Sequence, residues 1–147
     1  MLGDLSIVLH THMPYVEGHG TWPFGEEWLW EAIVTSYLPV LDVLESDGGE
    51  AVTLSLTPVL CDQLEAPGID ERLMAFLHDV RRETHRLDIE TETDPGVVAE
   101  LRRSGADYER AAERLSTLGA QGLLERLGAR WATRHINIYR NDLVDAL

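Results

Sequence analysis

Leu5-Ser6-Ile7-Val8-Leu9, leading into His10-Thr11-His12-Met13-Pro14-Tyr15, and Val52-Thr53-Leu54-Ser55-Leu56, leading into Thr57-Pro58, decide the fold. Both are short apolar runs containing Ile or Val, whose branched side chains favour the extended backbone. The first is bounded by Gly3-Asp4 and by polar His10-Thr11-His12. A nearly continuous run of this kind predicts a strand covered on both faces, as in a parallel sheet. Between the two runs, Leu29, Ile33, Tyr37, Leu41 and Leu44 recur at spacings of three and four. They predict one amphipathic helix from about Glu26. Pro39 should kink or split it, and Ser46-Asp47-Gly48-Gly49 should end it. Strand, helix, strand is a βαβ unit with a parallel pair and a right-handed crossover. His10 and Thr57 then fall at the same edge of the pair.

After Pro58 the pattern is helical. Residues 69 to 87 carry Ile69, Leu73, Phe76, Leu77, Val80 and Leu87. Asp94-Pro95 joins an N-cap to a proline at the first helical position. The next helix carries Val98, Leu101, Tyr108, Ala112 and Leu115. Gly119 and Gly122 interrupt it before Leu123, Leu127 and Trp131, and Ile136, Tyr139, Leu143 and Leu147 form a last stripe. The expected organisation is therefore one α/β domain over residues 1–147, with residues 1–62 as a βαβ part and 63–147 as a mainly helical part. Two parallel strands leave both sheet edges open, and the last stripe runs to Leu147 without a cap. Both features predict a truncated piece of a larger sheet. The rival expectation is a small helical domain with a βαβ corner.

A chain of 147 residues that is 44% hydrophobic and 26% charged reads as globular. No apolar run approaches the roughly 18–20 residues of a membrane span. Met1-Leu2-Gly3-Asp4 lacks the positive start of a secretory signal, so the expected location is cytoplasmic. The net charge of −14 argues against a nucleic-acid backbone or an anionic membrane as partner, and leaves a neutral polymer open. Cys61 is the only cysteine, which rules out an internal disulfide; its apolar neighbours mark a buried structural thiol.

His10 and His12 are two apart at the end of the first strand, so both side chains face the same side. Ligand sites in parallel α/β folds lie at that end. The connection from residue 13 to 27 is long and rich in Gly, Pro and aromatics, as functional loops are. Two readings fit. In the first, the imidazoles share a divalent ion at about 2.0–2.1 Å from each nitrogen, in a metal-dependent hydrolase. Further ligands would have to come from elsewhere, since His78 and His85 sit on the helix of residues 69 to 87. In the second, Trp22 and Trp28 stack on the C–H faces of a sugar ring while His10 and His12 bond its hydroxyls. Trp30 belongs to the amphipathic helix and reads as core. Glu26 and Glu27 open that helix, diverge from one another and suit a capping role against its dipole. They are no catalytic pair. A non-catalytic domain whose acidic helices, residues 69 to 147, bind a protein partner is the third possibility.

His10-Thr11-His12-Met13-Pro14-Tyr15-Val16, Trp22-Pro23-Phe24-Gly25-Glu26-Glu27-Trp28-Leu29, Glu31-Ala32-Ile33, Tyr37-Leu38-Pro39-Val40-Leu41 and Leu54-Ser55-Leu56-Thr57-Pro58-Val59-Leu60 together resemble the N-terminal signature of glycoside hydrolase family 57. The similarity is greatest to its 1,4-α-glucan branching enzymes. The resemblance implies an incomplete (β/α)7 barrel followed by a helical region. It implies a retaining mechanism, with a Glu nucleophile and an Asp acid/base on later strands, hence no catalytic residue in this chain. It implies no metal or organic cofactor. The substrate-binding residues it implies are His10, His12 and Trp28, to which the sugar-stacking reading adds Trp22. The implied partners are an α-1,4-glucan and the missing remainder of the barrel. The resemblance does not divide branching from glucanotransfer or amylase activity.

Overall fold

Strand β1, Ile7–His10, pairs in parallel with β2, Val52–Ser55, Ile7 lying opposite Val52 and His10 opposite Ser55. The computed structural model describes residues 7–21, 25–46 and 52–130. Leu5, Ser6, Trp22, Asp47 to Gly49 and the stripe from Trp131 to Leu147 fall outside them. The pairing continues one step past β1. The Thr11 N–H donates to the Ser55 carbonyl at 2.8 Å, and the Thr11 hydroxyl accepts from the Thr57 N–H at 3.0 Å. The expected βαβ unit is present, and His10 and Thr57 do share an edge. The expected cover on β1 is not: Ile7, Val8 and Leu9 are 45%, 59% and 42% exposed. Among the described residues β1 has β2 on one edge and no strand on the other, and its side chains on the sheet faces stand open to water.

The helix between the strands is continuous but not uniform. It runs as α1, Glu27–Ala32, a π-helical segment, Ile33–Tyr37, and α2, Leu38–Glu45. Pro39 does not end it. The Leu38 N–H bonds back to Ile33, five residues away, and this slip places Pro39 in the first turn of α2, where its missing N–H leaves no gap. Leu29, Ile33, Leu41 and Leu44 are buried as expected, with Trp30, Val34 and Leu38 beside them. Helix α3, Pro58–Leu64, follows β2 and buries Leu60, Cys61 and Leu64. Each buried leucine stabilises the unit by about 1.5–3 kcal/mol.

The chain divides into two compact units, residues 1–66 with 121–147, and residues 67–120. In the second, α4 (Ile69–Ala75), a π-helical segment (Phe76–Arg81) and α5 (Arg82–Thr91) form one continuous helix, followed by α6 (Pro95–Arg130). Ile69, Leu73, Phe76 and Leu77 are buried, but Val80 and Leu87 are exposed, against expectation. The π segment inserts a residue, which rotates the succeeding turns by about 100° and swings that stripe outward. His85 and Ile89 take the half-buried positions instead. Gly119 breaks α6 with φ 69° and ψ 167°, a conformation closed to other residues. Asp70 caps the restart, its Oδ1 accepting the Ala120 N–H at 2.7 Å. Gly122 does not interrupt the helix. No helix among the described residues is long and apolar enough to cross a membrane.

The start of α6 matches its sequence signal. Asp94 Oδ1 accepts the N–H groups of Gly96 at 2.7 Å and Val97 at 3.1 Å, with Pro95 between. Asp94→Ala should therefore lose about 0.5–2 kcal/mol of stability in urea unfolding followed by circular dichroism, and Asp94→Ser should retain most of it.

Candidate functional site

The loop after β1 is held from two sides. Thr11 binds it to the end of β2 through Ser55 and Thr57. Gln63, on α3, binds it further along and is fully buried. Its side-chain oxygen accepts the N–H of Val16 at 2.6 Å and of Glu17 at 3.2 Å. Its side-chain nitrogen donates to the carbonyls of Pro14 at 3.0 Å and Val59 at 3.2 Å. Every donor and acceptor of the amide is thus used. Beyond it the loop turns through Gly18 and Gly20, both at positive φ, and closes where the Glu26 N–H meets the Gly20 carbonyl at 2.8 Å. A Cβ on Gly25 would lie 2.0 Å from that carbonyl oxygen, so only glycine fits there.

This fixed loop forms one wall of a cavity of about 380 Å³ in the first unit. His10, Thr11, His12 and Met13 line it together with Ser36, Tyr37 and Leu54. The two histidines are therefore brought to one hollow at the ends of the parallel strands. His10 is oriented by a 2.9 Å hydrogen bond between its Nδ1 and the Ser55 hydroxyl. Burial pushes the Tyr37 phenol above its ordinary pKa, so it stays a neutral hydroxyl. Imidazoles and hydroxyls around apolar side chains suit a neutral polyol. Among the described residues the cavity lining contains no carboxylate, so they supply no acid/base pair for glycosidic cleavage there. Among the described residues no group of three His, Cys, Asp or Glu is arranged to hold a metal ion.

Trp28 does not line this cavity. It stands 46% exposed in the first turn of α1. Trp22 lies outside the described residues. Glu26 is buried at the start of α1 but gives no side-chain cap hydrogen bond, contrary to its expected role. Cys61 is a buried thiol, as its neighbours indicated. Tyr15 is exposed and donates to Glu17 Oε2 at 2.9 Å; that bond and the Glu17 charge hold its pKa above the ordinary value. Sequence reasoning passed over Gln63 and the cavity wall given by Ser36 and Tyr37. A signal for Gln63 existed: a polar residue between Leu60 and Leu64 on an apolar helix face.

Gln63→Leu leaves the buried Val16 N–H and the Pro14 carbonyl without partners and should cost roughly 2–4 kcal/mol. Gln63→Glu keeps the acceptor and, when protonated, one donor. Burial beside two carbonyls raises the pKa of the introduced carboxyl in the folded state. Relative to the parent, this variant should be most stable below about pH 4 and lose stability as pH rises through the raised value. Urea midpoints across that range check both substitutions.

No protein-family profile matches the chain. Individual proteins do. A 1,4-alpha-glucan branching enzyme of Thermococcus kodakarensis is 52% identical over 68 residues, 44% of this chain and 10% of that protein. A Mycobacterium tuberculosis protein named "Probable 1,4-alpha-glucan branching enzyme" is 45% identical over 69 residues, 44% of this chain and 13% of that protein. A solved structure of a GH57-type branching enzyme from the hyperthermophilic archaeon Pyrococcus horikoshii superposes with a TM-score of 0.74 at 31% identity, over 84% of this chain and 24% of the other. The chain thus spans about a tenth of the length of the curated relatives it matches. In sequence and in fold, over the segment they share, the chain is similar to glycoside hydrolase family 57 branching enzymes.

Proposed function

We propose that this chain is the N-terminal segment of a retaining α-glucan branching enzyme, and that the His10–His12 cavity binds the donor sugar. The observation that carries this reading is the cavity itself. Two imidazoles at the carboxyl ends of parallel strands, with neutral hydroxyls and no carboxylate, form a place to hold a sugar rather than to cut one. The kinship with branching enzymes supplies the substrate class, an α-1,4-glucan. In this scheme the catalytic Glu and Asp stand on strands outside the chain. The intact enzyme opens an α-1,4 bond, holds the glycosyl group covalently and passes it to a 6-hydroxyl acceptor. His10 and His12 orient the donor ring by hydrogen bonds to its hydroxyls. A glucan extends beyond one ring, and exposed Trp28 is assigned a stacking contact with a neighbouring sugar, as is Trp22 from its sequence position. The apolar side chains of β1 then meet the remainder of the barrel.

Isothermal titration of the folded chain with a maltooligosaccharide tests the binding claim. Binding should weaken about tenfold in His10→Ala and in His12→Ala, and less in Trp28→Ala. The chain alone should form no α-1,6 branches. A folded chain that ignores the oligosaccharide, or one that holds a stoichiometric divalent ion through both histidines, overturns the reading.

A further inference from the structure

His10 enters the cavity lining with one ring nitrogen already committed. Its Nδ1 lies 2.9 Å from the hydroxyl of Ser55, the residue opposite it in the register of the parallel pair. Paired neighbours across a sheet present their side chains to the same face, so the contact follows from the pairing itself. Ser55 is in turn fixed through its carbonyl. That oxygen accepts from the Thr11 N–H at 2.8 Å and from the Thr11 hydroxyl at 3.1 Å. Ser55 does not itself line the cavity, so any effect it has on a ligand there passes through His10.

Hydrogen-bond roles follow from where each proton can go. The Thr11 hydroxyl accepts the Thr57 N–H, and its own proton goes to the Ser55 carbonyl. The Ser55 hydroxyl has one proton and, among the described residues, one hydrogen-bond partner, His10 Nδ1. A proton on Nδ1 would leave the serine proton without a protein acceptor. With serine as the donor, Nδ1 accepts and the neutral ring carries its proton on Nε2. Nε2 has no protein partner among the described residues. The bond to Ser55 is exposed, where water competes and the gain in stability is small. What it supplies is ring direction and tautomer.

We infer that Ser55 is a positioning residue of the sugar cavity: it holds the His10 ring in the Nε2–H form, so that His10 meets a sugar hydroxyl as a hydrogen-bond donor. This role rests on the glucan reading of that cavity. It gives the strand wall a defined polarity, an N–H aimed at an oxygen of the sugar. It also ties that polarity to the pairing of β1 with β2, since the same register sets Ser55 opposite His10.

Two measurements on the full chain test it. Nitrogen-15 NMR of the histidine rings at about pH 9, where an ordinary imidazole is neutral, should show His10 protonated at Nε2, and Ser55→Ala should shift its Nδ1 resonance. A ring protonated at Nδ1, or an Nδ1 resonance indifferent to Ser55→Ala, overturns the assignment. In isothermal titration with a maltooligosaccharide, Ser55→Ala should bind about fivefold more weakly while its urea midpoint stays almost unchanged. Ser55→Thr keeps the hydroxyl and should bind like the parent. In a His10→Ala background, Ser55→Ala should weaken binding no further, because its effect passes through that ring. If the parent chain ignores the oligosaccharide, the glucan reading fails and takes this role with it. If the parent binds and Ser55→Ala binds as tightly, or if the two substitutions weaken binding additively, the glucan reading stands and the role of Ser55 alone is overturned.

Discussion

One buried amide sets the geometry of the first unit. Gln63 has no solvent to fall back on, so each of its four polar contacts must be made by protein. Those contacts join α3, which follows β2, to the loop that follows β1. Chain segments 46 to 49 residues apart are thereby locked in register at the ends of two parallel strands. Without that lock the loop carrying Pro14 to Glu17 would be a flexible connection. With it, His12 and Met13 become part of a wall. The Thr11 contacts with Ser55 and Thr57 do the same work nearer the strand, so the stretch from His10 to Glu17 is pinned at both ends.

Helical register is the second organising constraint, and the same device recurs in both units. The helices of residues 27–45 and 69–91 each contain a π-helical segment, and each segment gives side chains to a cavity: Ser36 and Tyr37 in one unit, Leu77 and His78 in the other. In the first helix the slip has a covalent cause, since Pro39 cannot donate and the register shift moves it to a position where no donor is needed. In the second helix nothing in the covalent structure demands the slip. Its effect is to turn Val80 and Leu87 to solvent and to bring His85 into contact with Tyr108 and Ser104. Apolar residues are given up to water while a polar, aromatic cavity wall is gained. That is the opposite of what core packing alone would select.

Legibility in the sequence tracks how local the physics of each element is. The two strands, the amphipathic stripe of Leu29 to Leu44 and the Asp94-Pro95 helix start rest on neighbours within a few residues, and all three appear in the structure. His10 and His12 do line one cavity, but β1 ends at His10, and His12 is placed by the loop that follows rather than by strand alternation. The π segments were not legible, because a one-residue slip changes no composition and only slightly disturbs a spacing of three and four. Gln63 was missed because its partners lie far away in the chain, and only the break it makes in an apolar face hinted at it. Trp28 was expected beside the histidines from the family resemblance and the aromatic-rich loop before it. Its helix turn instead leaves it exposed and outside the cavity lining.

The exposure of β1 bears on how the site could work. Ile7, Val8 and Leu9 carry side chains suited to a strand buried on both faces, yet each is about half exposed. Apolar surface of this kind gains about 25 cal/mol per Å² when covered, so the strand stands to be stabilised by polypeptide laid against it. If the chain is the N-terminal segment of a branching enzyme, the remainder of the barrel does this, and it arrives at the same strand whose last residue, His10, lines the sugar cavity. Assembly of the barrel and completion of the site are then one event. On that reading the cleaving carboxylates come with the rest of the barrel, while the wall bearing His10 and His12 is held by Gln63 and Thr11. A division of this kind keeps the binding half of the site rigid on its own hydrogen bonds and makes the chemistry conditional on the fold being closed.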